Sequence, residues 1–365
     1  MGIKSCLVKF LPFAVMVVVQ CLDVGLTTLS KAAMSRGMSH YVFVVYANAL
    51  ASLILFPSSF IIERKRRPPL TFSILCKFFL LSLVGITMMQ NCAFTGVNYS
   101  SPTLASAMTN LVPAFTFSLA VIFRMEKLDL KSSRSQMKLM GTLLSISGAM
   151  VVTLYKGPPI LKTLQVPSTE KFSASKPFFF STMLKTTPSN WVIGSLFLAI
   201  SSLSYAISNT AQAAILKEYP SQITMVSFFC FFGAIQCATL SLFAERDPNA
   251  WILKPDIELI CILYSAICGC VGMFTAISWC IKMKGPVFVS MFTPLEIAIA
   301  SILATIFLGE TLYVGSVIGA VVIVIGFYGV IWTQFKEEKD ENHEVNGPQS
   351  SSVKTPLLET HRTDV

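Results

Sequence analysis

Ten stretches of this chain are each long and apolar enough to cross about 30 Å of hydrocarbon as a helix, and no other feature narrows the fold so far. They fall at about 10–34, 41–62, 74–97, 102–123, 136–155, 191–213, 222–243, 257–281, 286–308 and 313–334. With no water in a bilayer core, every backbone N–H and C=O must be paired within the chain. Runs of this length achieve that as helices, so the expected fold class is an all-α membrane protein with ten transmembrane helices. The charge content agrees: 13% of residues are charged, where a soluble domain averages about 25%.

The helices fall into two sets. Residues 285–312 repeat 101–128 without gaps, pairing Pro102 with Pro286, Ser106 with Ser290, Thr109 with Thr293, Phe123 with Phe307, Glu126 with Glu310 and Leu128 with Leu312. Lys31-Ala-Ala-Met-Ser-Arg36 resembles Gln212-Ala-Ala-Ile-Leu-Lys217, and Gly141 and Gly148 share their spacing with Gly319 and Gly326. Five helices per half is an odd number, so the second half must cross the bilayer in the opposite sense to the first. An inverted five-plus-five repeat is the usual build of a secondary transporter. The expected division is 1–156 for the first repeat, 157–190 for a flexible non-cytosolic linker, 191–335 for the second repeat and 336–365 for a disordered cytosolic tail.

Lysines and arginines gather on one side of the ten segments: Lys4, Lys9, the run 64–67, Lys77, Arg124, Lys127, Lys131, Arg134, Lys138, Lys217, Lys282 and Lys284. The short loops of the other side hold Lys31, Arg36, Arg246 and Lys254. The positive-inside rule then places both termini in the cytosol. It also explains the net charge of +9 as topology, so the expected partners are membrane lipid and a small solute rather than nucleic acid. Most of the 10 cysteines lie inside apolar segments without regular spacing, as small buried hydrophobes do. His40, His343 and His361 form no metal-ligand pattern, and neither a nucleotide loop nor a catalytic triad occurs. No cofactor, metal or enzyme activity is expected. The first apolar run is too long for a cleaved leader and is read as a retained helix. Gly2 is followed by Cys6 where a myristoylation signal has Ser or Thr.

The stretches PTLASAMTNLVPAFTFSLAVIFRMEKL, NWVIGSLFLAISSLSYAI and KGPVFVSMFTPLEIAIASILATIFLGETLYVGSVIGA resemble the plant nodulin-21-like family. This family is also called the Walls-Are-Thin-related or UMAMIT transporters, within the EamA group of the drug/metabolite transporter superfamily. The similarity covers nearly all of residues 8–335. It implies ten helices in an inverted repeat around a central substrate path, and facilitated, often bidirectional, movement of amino acids; some relatives carry the indole hormone auxin. Many members have a basic residue early in the second helix, whereas this chain reads Tyr46-Ala47-Asn48-Ala49. A scheme that holds a substrate carboxylate with a cation there does not transfer to this protein.

Polar groups inside a membrane are costly, so by default they face a cavity or one another. Gln20, Asp23, Thr27 and Lys31 recur at three- and four-residue spacing and share one face of the first helix, with Asp23 near mid-bilayer. Asp23 reads two ways: as a carboxylate that binds a substrate ammonium or carries a coupling proton, or as a packing group bonded to a neighbouring helix. Thr293, Pro294 and Glu296 read either as a kinked polar site or as a structural kink. Asn48, Gln90, Asn91, Asn110, Asn209 and Gln212 are further candidates for the substrate site or for helix–helix hydrogen bonds. Trp279 suits either stacking on an apolar substrate side chain or anchoring at the membrane interface. Glu126 and Glu310 read as helix-end residues at opposite faces. Minor signals are a close-packing Gly315-Ser-Val-Ile-Gly319 run, a sequon at Asn98-Tyr-Ser100 too near the bilayer for use, and Pro356-Leu-Leu358 in the tail.

The resulting expectation is a multi-pass secondary carrier of amino acids or related solutes, working by alternating access in a plant plasma membrane or vacuolar membrane. Two other classes remain open at this level: a carrier of auxin or another aromatic acid, and a membrane scaffold or receptor without flux.

Overall fold

The computed structural model describes residues 3–63, 68–100, 102–125, 133–155, 158–161, 188–245, 248–253, 256–307 and 312–346. Glu126, Glu310, most of the 157–190 linker and the end of the tail lie outside them. Nine helices among the described residues are long and apolar enough to span a membrane. The remaining one, Ser133–Leu154, has 22 residues, about 33 Å at 1.5 Å per residue. The described residues thus form a bundle of ten such helices, with side chains such as Leu53, Ile61, Leu242 and Phe243 turned outward.

The first helix, Ile3–Ser35, begins earlier than its apolar run, and the second is His40–Ile62. The sixth, Pro188–Glu218, and the seventh, Gln222–Ala244, are continuous. The third and eighth are not regular. A π-helical turn at Leu83–Met88 separates Phe72–Ser82 from Met89–Tyr99, and another at Ser265–Met273 separates Ile257–Tyr264 from Phe274–Lys284. The ninth helix was expected to be kinked; it is broken, and so is the fourth. Pro102–Thr109 gives way through Asn110 and Leu111 to Val112–Ile122, and Pro286–Ser290 gives way through Met291 and Phe292 to Thr293–Phe307. In each, a proline sits second in the new segment, where its missing N–H costs nothing. The tenth helix, Val314–Asn346, runs past residue 335 because the Lys- and Glu-rich sequence beyond the apolar stretch is itself helix-forming. Helix therefore occupies 336–346, where a structureless tail was expected. A short ribbon, Pro159–Leu161 antiparallel to Leu312–Tyr313, departs from the all-helical pattern and ties the start of the linker to the start of the tenth helix.

The irregularities already pair the halves, third with eighth and fourth with ninth. The packing completes the symmetry. The third and fourth helices pack on the sixth, and the eighth and ninth pack correspondingly on the first. The second lies along the seventh and the fifth along the tenth. In that last pair the backbones touch through glycines. A Cβ added at Gly141 would meet the Gly326 carbonyl oxygen at 2.8 Å and Val330, while one at Gly319 would meet the Gly148 oxygen at 2.6 Å and Val152. Exchanging the halves turns the first contact into the second. Gly141 faces Gly326 while Gly148 faces Gly319, so the two helices run antiparallel, as an inverted repeat requires.

At the end of the bundle that carries residue 63, Glu63 caps the seventh helix. It accepts from Thr224 N at 3.0 Å, from Thr224 Oγ1 at 2.8 Å and from the Ser221 hydroxyl, placing an acid at a helix N-terminus. Lys77 and Glu218 pair nearby. Glu63→Ala is expected to cost about 1–2 kcal/mol, read as a lowered melting temperature of the detergent-purified protein.

Candidate functional site

A cavity of about 380 Å³ lies between the halves, within the ~300–1,000 Å³ typical of small-ligand sites. The first helix contributes Met16, Gln20, Asp23, Thr27 and Ser30 to its wall, a run at helical spacing along one face. Phe43 and Asn48 come from the second helix, Gln90 and Phe94 from the third, and Thr109 and Val112 from the broken fourth. The second half answers with Ser201, Ser202 and Tyr205 from the sixth helix, Cys270, Met273 and Phe274 from the eighth, and Thr293 and Glu296 from the broken ninth. The repeat is visible here too: Thr109 and Thr293, partners in the sequence alignment, both face the cavity.

Two carboxyl groups, Asp23 and Glu296, therefore meet one chamber from opposite halves. They are close enough to act on one another electrostatically, and both act on the Tyr205 hydroxyl. Among the described lining residues there is no Lys, Arg or His. Most of the remaining surface is apolar or neutral. Asn48 is held by its own helix, its Nδ2 donating to Val44 O at 2.9 Å, while its Oδ1 accepts from Cys270 Sγ at 3.8 Å. It occupies the region where the resemblance led one to look for a cation, and it is 1% exposed.

The chamber reaches Ser30, Phe43 and Phe94 at the end of the bundle that carries the 36–39 turn. Toward the other end it stops at Met16. The next turn, Phe13, stands edge-on to Phe288 with ring centres 4.9 Å apart. Phe288 packs on Phe292 at 5.1 Å and Phe292 on Phe327 at 4.6 Å. These rings pack together beyond Met16, where the chamber lining ends. On the lined side, Arg36 pairs with Asp256 and Ser39 donates to Glu245 at 2.7 Å, joining the two halves at the rim.

Of the residues singled out from sequence, the cavity brings together Gln20, Asp23, Thr27, Asn48, Gln90, Thr293 and Glu296. Lys31 continues their stripe on the first helix without joining the lining. Asn91 points away from Gln90, its neighbour; it donates to Thr87 O at 2.7 Å and approaches Cys237 on the seventh helix. Asn110 fills the break in the fourth helix, fully buried, with both amide atoms unpartnered. Asn209 and Gln212 line a second, smaller chamber. Trp279 packs against the core and lies outside both. Sequence reasoning missed Ser201, Ser202 and Tyr205. The signal was present: they lie at three- and four-residue spacing with Asn209 on the sixth helix, which the Lys31/Gln212 alignment equates with the first.

The sequence matches the EamA-like transporter family twice, over residues 12–154 and 192–332. A WAT1-related protein of Arabidopsis thaliana is 43% identical over 98% of this chain and 97% of its own length. A second is 45% identical over 96% and 92%. Protein WALLS ARE THIN 1 of the same plant is 38% identical over 90% of this chain and 84% of its own. A protein of known crystal structure superposes on 90% of this chain and 98% of its own with a TM-score of 0.65 at 13% identity, a likeness of fold.

Proposed function

Because this chain belongs to the EamA-like transporter family, we propose that its cavity carries amino acids across a plant membrane by alternating access. The observation that carries this reading is the pair Asp23 and Glu296 in a chamber whose described lining contains no basic residue. An ammonium group set between two carboxylates, away from bulk water, is strongly favoured. The substrate carboxylate finds a different partner. Val112 and Thr293 open helix segments that begin in the cavity wall, and a helix N-terminus carries partial positive charge suited to an anion. The apolar walls then accommodate a side chain.

The lysine and arginine clusters support an orientation with both termini in the cytosol. On that orientation the lined end of the chamber faces away from the cytosol and the Phe13–Phe288–Phe292 rings close the cytosolic side. The inverted repeat supplies the opposite state, with the halves exchanging roles. Asp23 is the candidate proton carrier, and the host is the plasma membrane or the vacuolar membrane.

An aromatic acid such as auxin is the second reading, favoured by the apolar and aromatic surface of Phe43, Phe94 and Phe274. Its only charge would meet two carboxyls. Purified protein in liposomes loaded with labelled amino acids is expected to show saturable exchange. Exchange of an aromatic acid alone would transfer the reading to that class, and flux of neither would leave a scaffold or receptor.

A further inference from the structure

Beside the main cavity lies a chamber of about 30 Å³, walled by Met89, Tyr205, Phe274 and Ile277, residues that also line the cavity. The two therefore have those four residues as a common wall. Its volume suits one water or a terminal polar group of similar size. Its far wall carries no formal charge and is mixed, with Ser208, Asn209, Gln212 and Ser278 set beside the apolar Met225 and Phe229. Gln212 is occupied, with Oε1 accepting from Ser278 Oγ at 3.0 Å and Nε2 directed at Ser208 Oγ at 3.4 Å. Asn209 is not. It is 1% exposed, and its Nδ2, although it faces the Tyr205 hydroxyl, meets no acceptor in good hydrogen-bonding geometry. A buried amide donor without a partner is costly, and this one borders a chamber that a partner could fill.

We infer that this chamber is a side-chain subsite for a terminal carboxamide, so that the carrier prefers glutamine-like amino acids. The inference rests on the amino-acid reading of the main cavity. With the ammonium held at Asp23 and Glu296, a side chain passing between Tyr205 and Phe274 arrives at the Asn209 amide. A carboxamide supplies what is missing there, an oxygen to accept from Asn209 Nδ2. Its own N–H groups find the remaining lone pairs of Gln212 Oε1 and Ser208 Oγ. An apolar end leaves the Asn209 donor unpaired. A carboxylate end adds a third negative charge close to two others, with no lining cation to balance it.

The test is competition in the exchange assay. Unlabelled glutamine is expected to displace labelled alanine about tenfold better than methionine does, methionine being of similar length with an apolar end. Asn209→Leu is expected to lower the glutamine-to-alanine preference about tenfold, and Ser208→Ala, which removes one acceptor of the carboxamide N–H groups, serves the same purpose if the first variant does not fold. Equal competition by glutamine and methionine in the unaltered protein would overturn the inference. So would equal loss of glutamine and alanine exchange in the variants, which is the result expected of a chamber that only holds water. Alanine exchange itself reports separately on the amino-acid reading, and its absence would remove both.

Discussion

The double variant Asp23→Asn with Glu296→Gln is expected to reduce amino-acid exchange about 30-fold or more, since removing the partners of a desolvated charge costs about 2–5 kcal/mol. Each single variant leaves one carboxyl facing the chamber, so exchange falls less. The two singles differ in one respect that identifies a proton carrier. With Asp23→Asn, accumulation driven by a pH gradient is expected to vanish while exchange between equal solutions stays measurable. Liposomes with and without an imposed gradient read both quantities on one preparation. Equal loss of both, accompanied by poor yield of folded protein, would make Asp23 a packing residue and remove it from the coupling scheme.

The second large effect concerns the seam between the fifth and tenth helices. Gly148→Val is expected to destabilise the protein by about 3 kcal/mol, at the upper end of overpacking costs. A Cβ there would lie 2.8 Å from Ile323 N and 2.9 Å from the Gly319 oxygen, and both are backbone atoms that have no other place to go. In a bilayer, where no hydrophobic gain drives helices together, close backbone approach is a principal source of association. The symmetry makes the prediction sharper. Gly141→Val and Gly319→Val occupy equivalent positions and are expected to lower the melting temperature by similar amounts, whereas Gly329→Val, with nothing within 4 Å of an added Cβ, is expected to do little. Unequal losses at the paired positions would show that the seam is not two-fold in the sense the contacts indicate.

Much of the architecture was legible in the one-dimensional pattern. The ten apolar runs match the ten helices, and the paired glycines and the 101–128/285–312 repeat indicated two related halves. The breaks were only half legible. Pro113 and Pro294 signalled disturbed helices, yet whether a helix bends or stops depends on what satisfies the freed backbone groups, and that is supplied by other helices. The π-turns at Leu83–Met88 and Ser265–Met273 gave no sequence signal that we recognise.

The site was legible to a similar, partial degree. Asp23, Gln20 and Thr27 could be placed on one face because helical spacing is a local property. Gln90 and Asn91 show where that stops. Adjacent residues point about 100° apart, and nothing in the sequence says which of the two faces inward; packing against the seventh helix took Asn91 and left Gln90 to the cavity.

Span length and backbone pairing in lipid are properties of a segment by itself, and so the sequence alone determined a bundle of ten helices in two inverted halves. How far each helix is rotated about its own axis is settled by contacts with helices distant in the chain, most of them in the other half. Only the tertiary structure therefore decided that Asp23 and Glu296 share a chamber, that Tyr205 stands between them and a second one, and that Trp279 belongs to neither.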